Sequence, residues 1–252
     1  MYNSLAKVYD QLMEDMPYGE WLSWLEEYWA QHGQPRTLVD LGCGTGTIAL
    51  AIAAKGLHVV GIDLSEGMLE VAINKEKMLR KVDRVTGSLD WQQQDMRRWS
   101  LPQQVECVIS CFDCQNYLLS EAELLQTFQR TYAGLVHGGM FLFDLHHRNQ
   151  FDAYAMNAPF CLDEEEISYI WNCSWNEDQT ILEHRITLFI REQDIYLKVV
   201  EVHHERVYAE QTIILLLEQA GFARIESYSD FSFVSVDDEQ THRLFFVAWK
   251  DA

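Results

Sequence analysis

The run Val39-Asp40-Leu41-Gly42-Cys43-Gly44-Thr45-Gly46 constrains this chain more than any other segment. Thr37 to Leu41 reads as a short buried strand, and the alanine-rich run Thr47 to Lys55 reads as a helix. Between them lies a turn in which glycine alternates with small residues, so the chain passes from strand to helix without a spacer. Gly56 closes the helix, and Val59 to Ile62 forms a second strand ending at Asp63. Ser65, with a carboxylate in the turn after it, opens a helix reaching about Arg80.

The alternation continues with strands at Leu89 to Gln94 and Val105 to Phe112, a helix at Glu121 to Ala133, and a strand at Met140 to Asp144. This order predicts an α/β fold, Rossmann-like and doubly wound, whose mostly parallel seven-stranded sheet carries helices on both faces. Residues 156–208 break the rhythm with β-rich runs at Ile167 to Trp175, Thr180 to Ile190 and Ile195 to His203, an inserted antiparallel meander. A helix at Glu210 to Ala220 and strands at Ala223 to Tyr228 and Leu244 to Trp249 complete the core, which takes in residues 35–155 and 209–252. Residues 1–34 form a helical lid segment, with Trp21, Trp24, Leu25 and Tyr28 on one helical face suited to docking.

A formal charge of −20 disfavours nucleic acid and anionic membranes as partners. Within residues 156–209, 11 acidic residues face four basic ones, so the insertion is no nucleic-acid arm but a cap over the acceptor or a homodimer contact. The longest uncharged apolar stretch, Ile48 to Ala54, is too short for a bilayer, and the first residues lack a basic-then-apolar pattern. A cytoplasmic protein with reduced cysteines is expected. Against a redox or metal role for Cys111-x-x-Cys114, Val105, Cys107, Ile109 and Cys111 share one strand face as small core residues would, and one Cys pair leaves a zinc site short of ligands, so no metal is expected. His203 and His204 are adjacent in a strand, point to opposite faces and read as structural.

A glycine turn lets a ligand approach the backbone, where free N–H groups at a helix N-terminus would point at it. The run has no Gly-Lys-[Ser/Thr] ending, which excludes a triphosphate-cradling loop, and its third glycine falls at Gly46, where the dinucleotide fingerprint requires position 47. Asp63 can accept from both hydroxyls of a ribose, so an adenosine-bearing ligand is implied.

These residues, with Gln94-Asp95-Met96 after the third strand and Asp113 to Leu119 after the fourth, resemble the class I S-adenosylmethionine-dependent methyltransferases over nearly the whole chain. The nearest likeness is to small-molecule enzymes with an N-terminal Tyr-Asp segment, here Tyr9-Asp10, and a β-rich insertion, such as the sugar and glycine N-methyltransferases. The resemblance implies S-adenosyl-L-methionine as cofactor. Its methionine half falls on Gly42, Cys43 and Gly44, its ribose on Asp63, and its adenine on Asp95 and the Met96 backbone. Asp40 then supports the turn or the cofactor's amino group, and Tyr9 and Tyr18 cover it.

Methyl transfer to a nitrogen or oxygen of a small molecule follows, with His146, Asp113 or Tyr117 supplying or orienting a base. The alternative is a non-catalytic methyltransferase-like module that serves as a binding domain or partner subunit. The acceptor is expected over the fourth and fifth strands, among Asp113, Asn116, Tyr117, His146 and His147, roofed by Tyr9, Tyr18 and Trp21. With Arg148 as the only nearby cation in sequence, a neutral or amine-bearing acceptor is expected over a strongly anionic one.

Overall fold

The computed structural model of the chain describes residues 3–251. Helices α1 (Asn3–Leu12) and α2 (Tyr18–His32) lead into β1 (Thr37–Leu41), α3 (Thr47–Ala54), β2 (His58–Asp63), α4 (Glu66–Arg80), β3 (Ser88–Gln93) and β4 (Val105–Ser110). A short 3₁₀ turn (Cys114–Tyr117) then precedes α5 (Glu121–Gly134), β5 (Leu135–His146) and α6 (Arg148–Asn157). The strands β6 (Phe160–Asp163), β7 (Ile167–Trp175), β8 (Ile181–Glu192) and β9 (Ile195–Arg206) come next, followed by α7 (Glu210–Ala220), β10 (Arg224–Ser229) and β11 (Arg243–Trp249).

The first sheet has seven strands in the order β10-β11-β5-β4-β1-β2-β3, parallel except for the pairings that β11 makes with β5 and β10. Its order reverses between β1 and β4, which opens a crevice beyond the carboxyl ends of those strands. Both faces are covered because the central strands are apolar on both sides. Val39, Leu41, Phe141, Phe143 and Phe246 pack against α5 and α7 through Phe128, Ile213 and Leu217. On the opposite face Leu38, Ile109, Leu142 and Val247 meet α3 through Ile48 and Ile52, and α2 through Trp21, Trp24 and Tyr28. Each large side chain buried in this way contributes about 1.5–3 kcal/mol. The aromatic helix is therefore a docked face of the core, as its spacing implies.

The second sheet runs β6-β7-β8-β9, all antiparallel. Register places Tyr169, Trp171 and Cys173 of β7 beside Leu188, Ile186 and His184 of β8, and His184 beside His203 of β9. Period-two alternation sends this set to one face. Leu188 is fully buried there and packs with Val8, Tyr9 and Leu12 of α1. Helix α1 thus bridges the second sheet and the glycine turn, where Asp10 accepts a hydrogen bond from Thr45 Oγ1 (2.6 Å) and pairs with Lys75 (2.8 Å). Sequence periodicity does not reveal β6 or α6.

Candidate active site

Gly42, Gly44 and Gly46 all adopt left-handed backbone conformations, with φ of +85°, +53° and +77°, but they face different surroundings. A Cβ at Gly42 would lie 2.7 Å from Cys114 Sγ, and one at Gly46 would lie 2.5 Å from the Trp91 ring. At Gly44 it would meet nothing within 4 Å, because that glycine opens onto a cavity of about 650 Å³. Packing therefore requires the outer two glycines, while the middle one leaves room for a ligand.

The first three N–H groups of the turn, ahead of the helix N-terminus, are taken within the fold. Ile62 O accepts from Gly42 N–H (2.8 Å) and Cys43 N–H (3.0 Å), and Asp63 Oδ2 accepts from Gly44 N–H (2.8 Å). The turn spends these donors on bracing itself against β2. Asp63 also accepts from Ser65 N–H through Oδ1 (2.8 Å), which ties the turn to the start of α4. Each of its oxygens keeps a second lone pair. Burial holds the Asp63 carboxyl above its usual range, and hydrogen bonds from Ser65 and Gly44 oppose that shift.

Asp40 lies below the turn, 2% exposed, with Oδ2 lacking a partner. Burial, then repulsion from Asp63, raises its pKa from 3.8 to about 7. A cationic group beside it would reverse that shift. Asp95 and Met96 line the same cavity. The Asp95 carboxylate is held by Arg97 Nε (2.9 Å) and Nη2 (2.7 Å), and Arg97 also pairs with Glu123. Tyr9 and Tyr18 line the cavity with Leu12, Met13 and Met16, and burial pushes the Tyr18 hydroxyl up to about 12. Trp21 is not part of this roof. It is buried in the core, stacks on Phe112 (4.0 Å) and donates from Nε1 to Asp144 Oδ1 (2.9 Å).

The far end of the cavity is organised by a buried ion-pair network. Asp144, near the end of β5, accepts from the backbone N–H groups of Phe112 (2.9 Å) and Asp113 (3.0 Å), and it pairs with Arg243. This anchoring holds Phe112 and Asp113 at φ of +63° and +50°, a conformation that non-glycine residues seldom adopt. Arg243 also donates to Asp113 Oδ1 (3.0 Å) and to His146 Nε2 (2.6 Å). His146 Nε2 is thus an acceptor, and the neutral ring carries its proton on Nδ1. Burial, then the positive charge of Arg243, keeps the His146 pKa well below the usual value.

Asp113, His146 and Tyr117 all line the cavity, as the sequence places them. Asn116 does not offer itself to an acceptor: its Nδ2 donates to Arg206 O (2.8 Å) and its Oδ1 accepts from His146 N–H (3.0 Å), clamping β9 to β5. His147 turns away and caps α6, accepting from Asn149 N–H (3.3 Å). Arg148 pairs with Asp152 on the outer side, whereas Arg243 lines the acceptor end of the cavity. Cys111 and Cys114 are buried or partly buried thiols, and Cys114 Sγ lies 3.1 Å from Cys111 O.

Sequence reasoning misses Arg243, Asp144, Tyr154, Trp171, His184 and Glu205. A signal existed for the last two, since polar residues alternate with apolar ones on the buried face of a strand pair. His203 faces the cavity, and His204 points outward to Glu183 (3.3 Å), which matches the expected opposition of the two. Asp113, His146 and Glu205 offer atoms within 4.8 Å of one another, a spacing that could suit a metal ion. Arg243 already supplies a positive charge against two of the three.

Residues 38–139 match a family described as a methyltransferase domain. A protein of Geobacillus sp. (strain WCH70) that bears a methyltransferase name is 36% identical over 252 residues, covering 99% of each chain. The crystal structure of an S-adenosylmethionine-dependent methyltransferase from Clostridium acetobutylicum superposes with a TM-score of 0.85 at 25% identity, covering 100% of this chain and 99% of the other. The chain belongs to the class I S-adenosylmethionine-dependent methyltransferases. An amino pentose methyltransferase of Micromonospora echinaspora, solved with its cofactor bound, shares the fold (TM-score 0.70, 20% identity, 96% of each chain).

The methyltransferase site fits S-adenosylmethionine on its own geometry. Open space over Gly44, spare lone pairs on Asp63 and an unpartnered Asp40 oxygen lie along one wall. When bound, the cofactor supplies an electrophilic methyl group on a sulfonium. The protein's part is to align the nucleophile and exclude water, and α1 and the second sheet contribute Tyr9, Leu12, Tyr169 and Trp171 to the cavity wall. Among the described residues, no helix is long and apolar enough to cross a membrane.

Proposed function

We propose that this methyltransferase acts on a nitrogen or oxygen of a small molecule, as a cytoplasmic enzyme, with the inserted sheet as a cap over the acceptor. The supporting observation is the shape of the cavity. One end carries the glycine turn, Asp63 and Asp95, and the other carries Asp113, His146, Tyr154, Trp171 and Glu205, with no break between them. Its volume falls within the range of small-molecule sites, roughly 300–1,000 Å³. The cap is acidic overall, which opposes a nucleic-acid acceptor. The amino pentose specificity in the name of a structural neighbour points the same way.

In this reading His146, Asp113 and Tyr117 face the acceptor, while Tyr9 and Tyr18 close the cofactor side. The test is to incubate the enzyme with radiolabelled S-adenosylmethionine and separate fractions of small metabolites, RNA and protein. Label is expected in the small-molecule fraction. Label confined to RNA or protein overturns the proposal.

A further inference from the structure

Among the described residues, Glu205 is the one carboxylate at the acceptor end that no cation pairs with. It projects from β9 into the cavity, 6% exposed, and its Oε2 has no hydrogen-bond partner. Three neutral groups surround it. Tyr117 donates a hydrogen bond to the carboxylate. His146 Nδ1 lies 3.7 Å and His184 Nε2 lies 3.8 Å from Oε2. His184 Nδ1 accepts from Trp171 Nε1 (3.1 Å), so the proton of its neutral ring sits on Nε2 and faces Glu205, as the Nδ1 proton of His146 does. Both of these nitrogens are buried, and neither has a hydrogen-bond partner.

The nearby charges do not balance. Arg243 is already shared by Asp144 and Asp113, so a carboxylate at Glu205 would be an unmatched negative charge in an apolar enclosure. Leaving such a charge buried is costly, and proteins either hold the group neutral or give it a partner. The wall around it is aromatic, with Tyr154, Tyr169 and Trp171 lining the same space, and such ring faces attract cations. A metal ion is a poorer match than an organic cation, because the Arg243 guanidinium already lies against Asp113 and His146.

We propose that Glu205 is the anchor and proton acceptor for an amine-bearing methyl acceptor, with Oε2 receiving an N–H of the ammonium form. This rests on the small-molecule reading above and narrows it to amines. The step is a single proton transfer. The N–H bond breaks, its electron pair stays on nitrogen as the lone pair needed for attack, and the proton joins Oε2 to give a neutral carboxylic acid. Burial favours this neutral pair over the ion pair, and it holds the Glu205 carboxyl well above the usual carboxylate range. Tyr117, His146 and His184 are positioning residues that aim the carboxylate.

The test uses the full chain loaded with S-adenosylhomocysteine, so that no turnover occurs. Calorimetry then compares cyclohexylamine, cyclohexanol and cyclohexanecarboxylate, which share one apolar ring suited to the cavity wall. The amine is expected to bind about tenfold more tightly than either competitor, because it alone can give a proton to the unmatched carboxylate and leave a neutral pair. Glu205→Gln, similar in size and without charge, should keep S-adenosylhomocysteine affinity and lose the amine preference.

Equal binding of the three probes, tighter binding of the carboxylate, no binding of the amine at millimolar concentration, or a preference that survives in Glu205→Gln each overturns the proposal. The wild-type comparison stands even if the variant does not fold. A chain that fails to bind S-adenosylhomocysteine at all would instead overturn the cofactor assignment beneath it.

Discussion

Replacing Asp63 separates two roles of one carboxylate. Its oxygens accept from Gly44 N–H and Ser65 N–H at 2.8 Å each, so they brace the glycine turn against the start of α4. They also face the cavity with spare lone pairs. In Asp63→Ala both backbone donors lose their partner at a cost of about 1–3 kcal/mol each where water cannot replace it. Relief of the buried charge offsets part of that cost, because burial already holds the carboxyl above its usual range. A net loss of about 2–4 kcal/mol is expected, a large share of a typical stability of roughly 5–15 kcal/mol.

Asp63→Asn keeps one acceptor oxygen and should lose about half as much. Its effect on cofactor is larger in proportion, since a charged acceptor of ribose hydroxyls is worth about 1.5–3 kcal/mol per hydrogen bond. Urea melts give the first quantity, and calorimetry with S-adenosylhomocysteine gives the second. Unchanged affinity in a folded Asp63→Asn variant would refute the ribose assignment, and unchanged stability in Asp63→Ala would refute the bracing role.

Gly46→Ala should destabilise by about 2–5 kcal/mol in thermal melts, because a Cβ 2.5 Å from Trp91 adds overpacking to the strain of a φ of +77°. Asp40 binds a proton more tightly when folded, so the folded state holds more protons between pH 3.8 and about 7, and stability falls as pH rises through that window. Asp40→Asn should flatten the decline, which amounts to on the order of 4 kcal/mol at about 1.4 per pKa unit, as read by urea melts across pH. Arg243→Met leaves Asp144 and Asp113 without their cation and should cost about 3–5 kcal/mol, measured by the same melts.

The cofactor side of the fold was legible because local rules govern it. Thr37–Leu41 is a strand, Ser65 caps α4 by accepting from Met68 N–H, and Gly56 follows α3 in a left-handed conformation, each as the sequence implies. Each depends on neighbours in sequence. The acceptor side depends on partners brought together from distant segments, such as Arg243 with Asp113 and Asp144, or Glu205 with His146 and His184. No periodicity encodes those meetings.

The partners of the turn's first donors escape sequence reasoning for the same reason. Only the packing of β1 beside β2 shows that Ile62 O takes the N–H groups of Gly42 and Cys43. The position of Trp21 in the chain suggests the roof, whereas the hydrogen bond to Asp144 that holds it in the core spans the fold.

The cofactor assignment turns on the empty space above Gly44, and one substitution addresses that space directly. Asparagine tolerates the left-handed φ of +53° better than most residues, so Gly44→Asn should fold while its side chain enters the cavity. Titration of S-adenosylhomocysteine into both proteins should show one site in the wild type and no measurable binding in a folded Gly44→Asn variant. Equal affinity in the two would contradict the account, since the cofactor would then lie somewhere other than over the glycine turn.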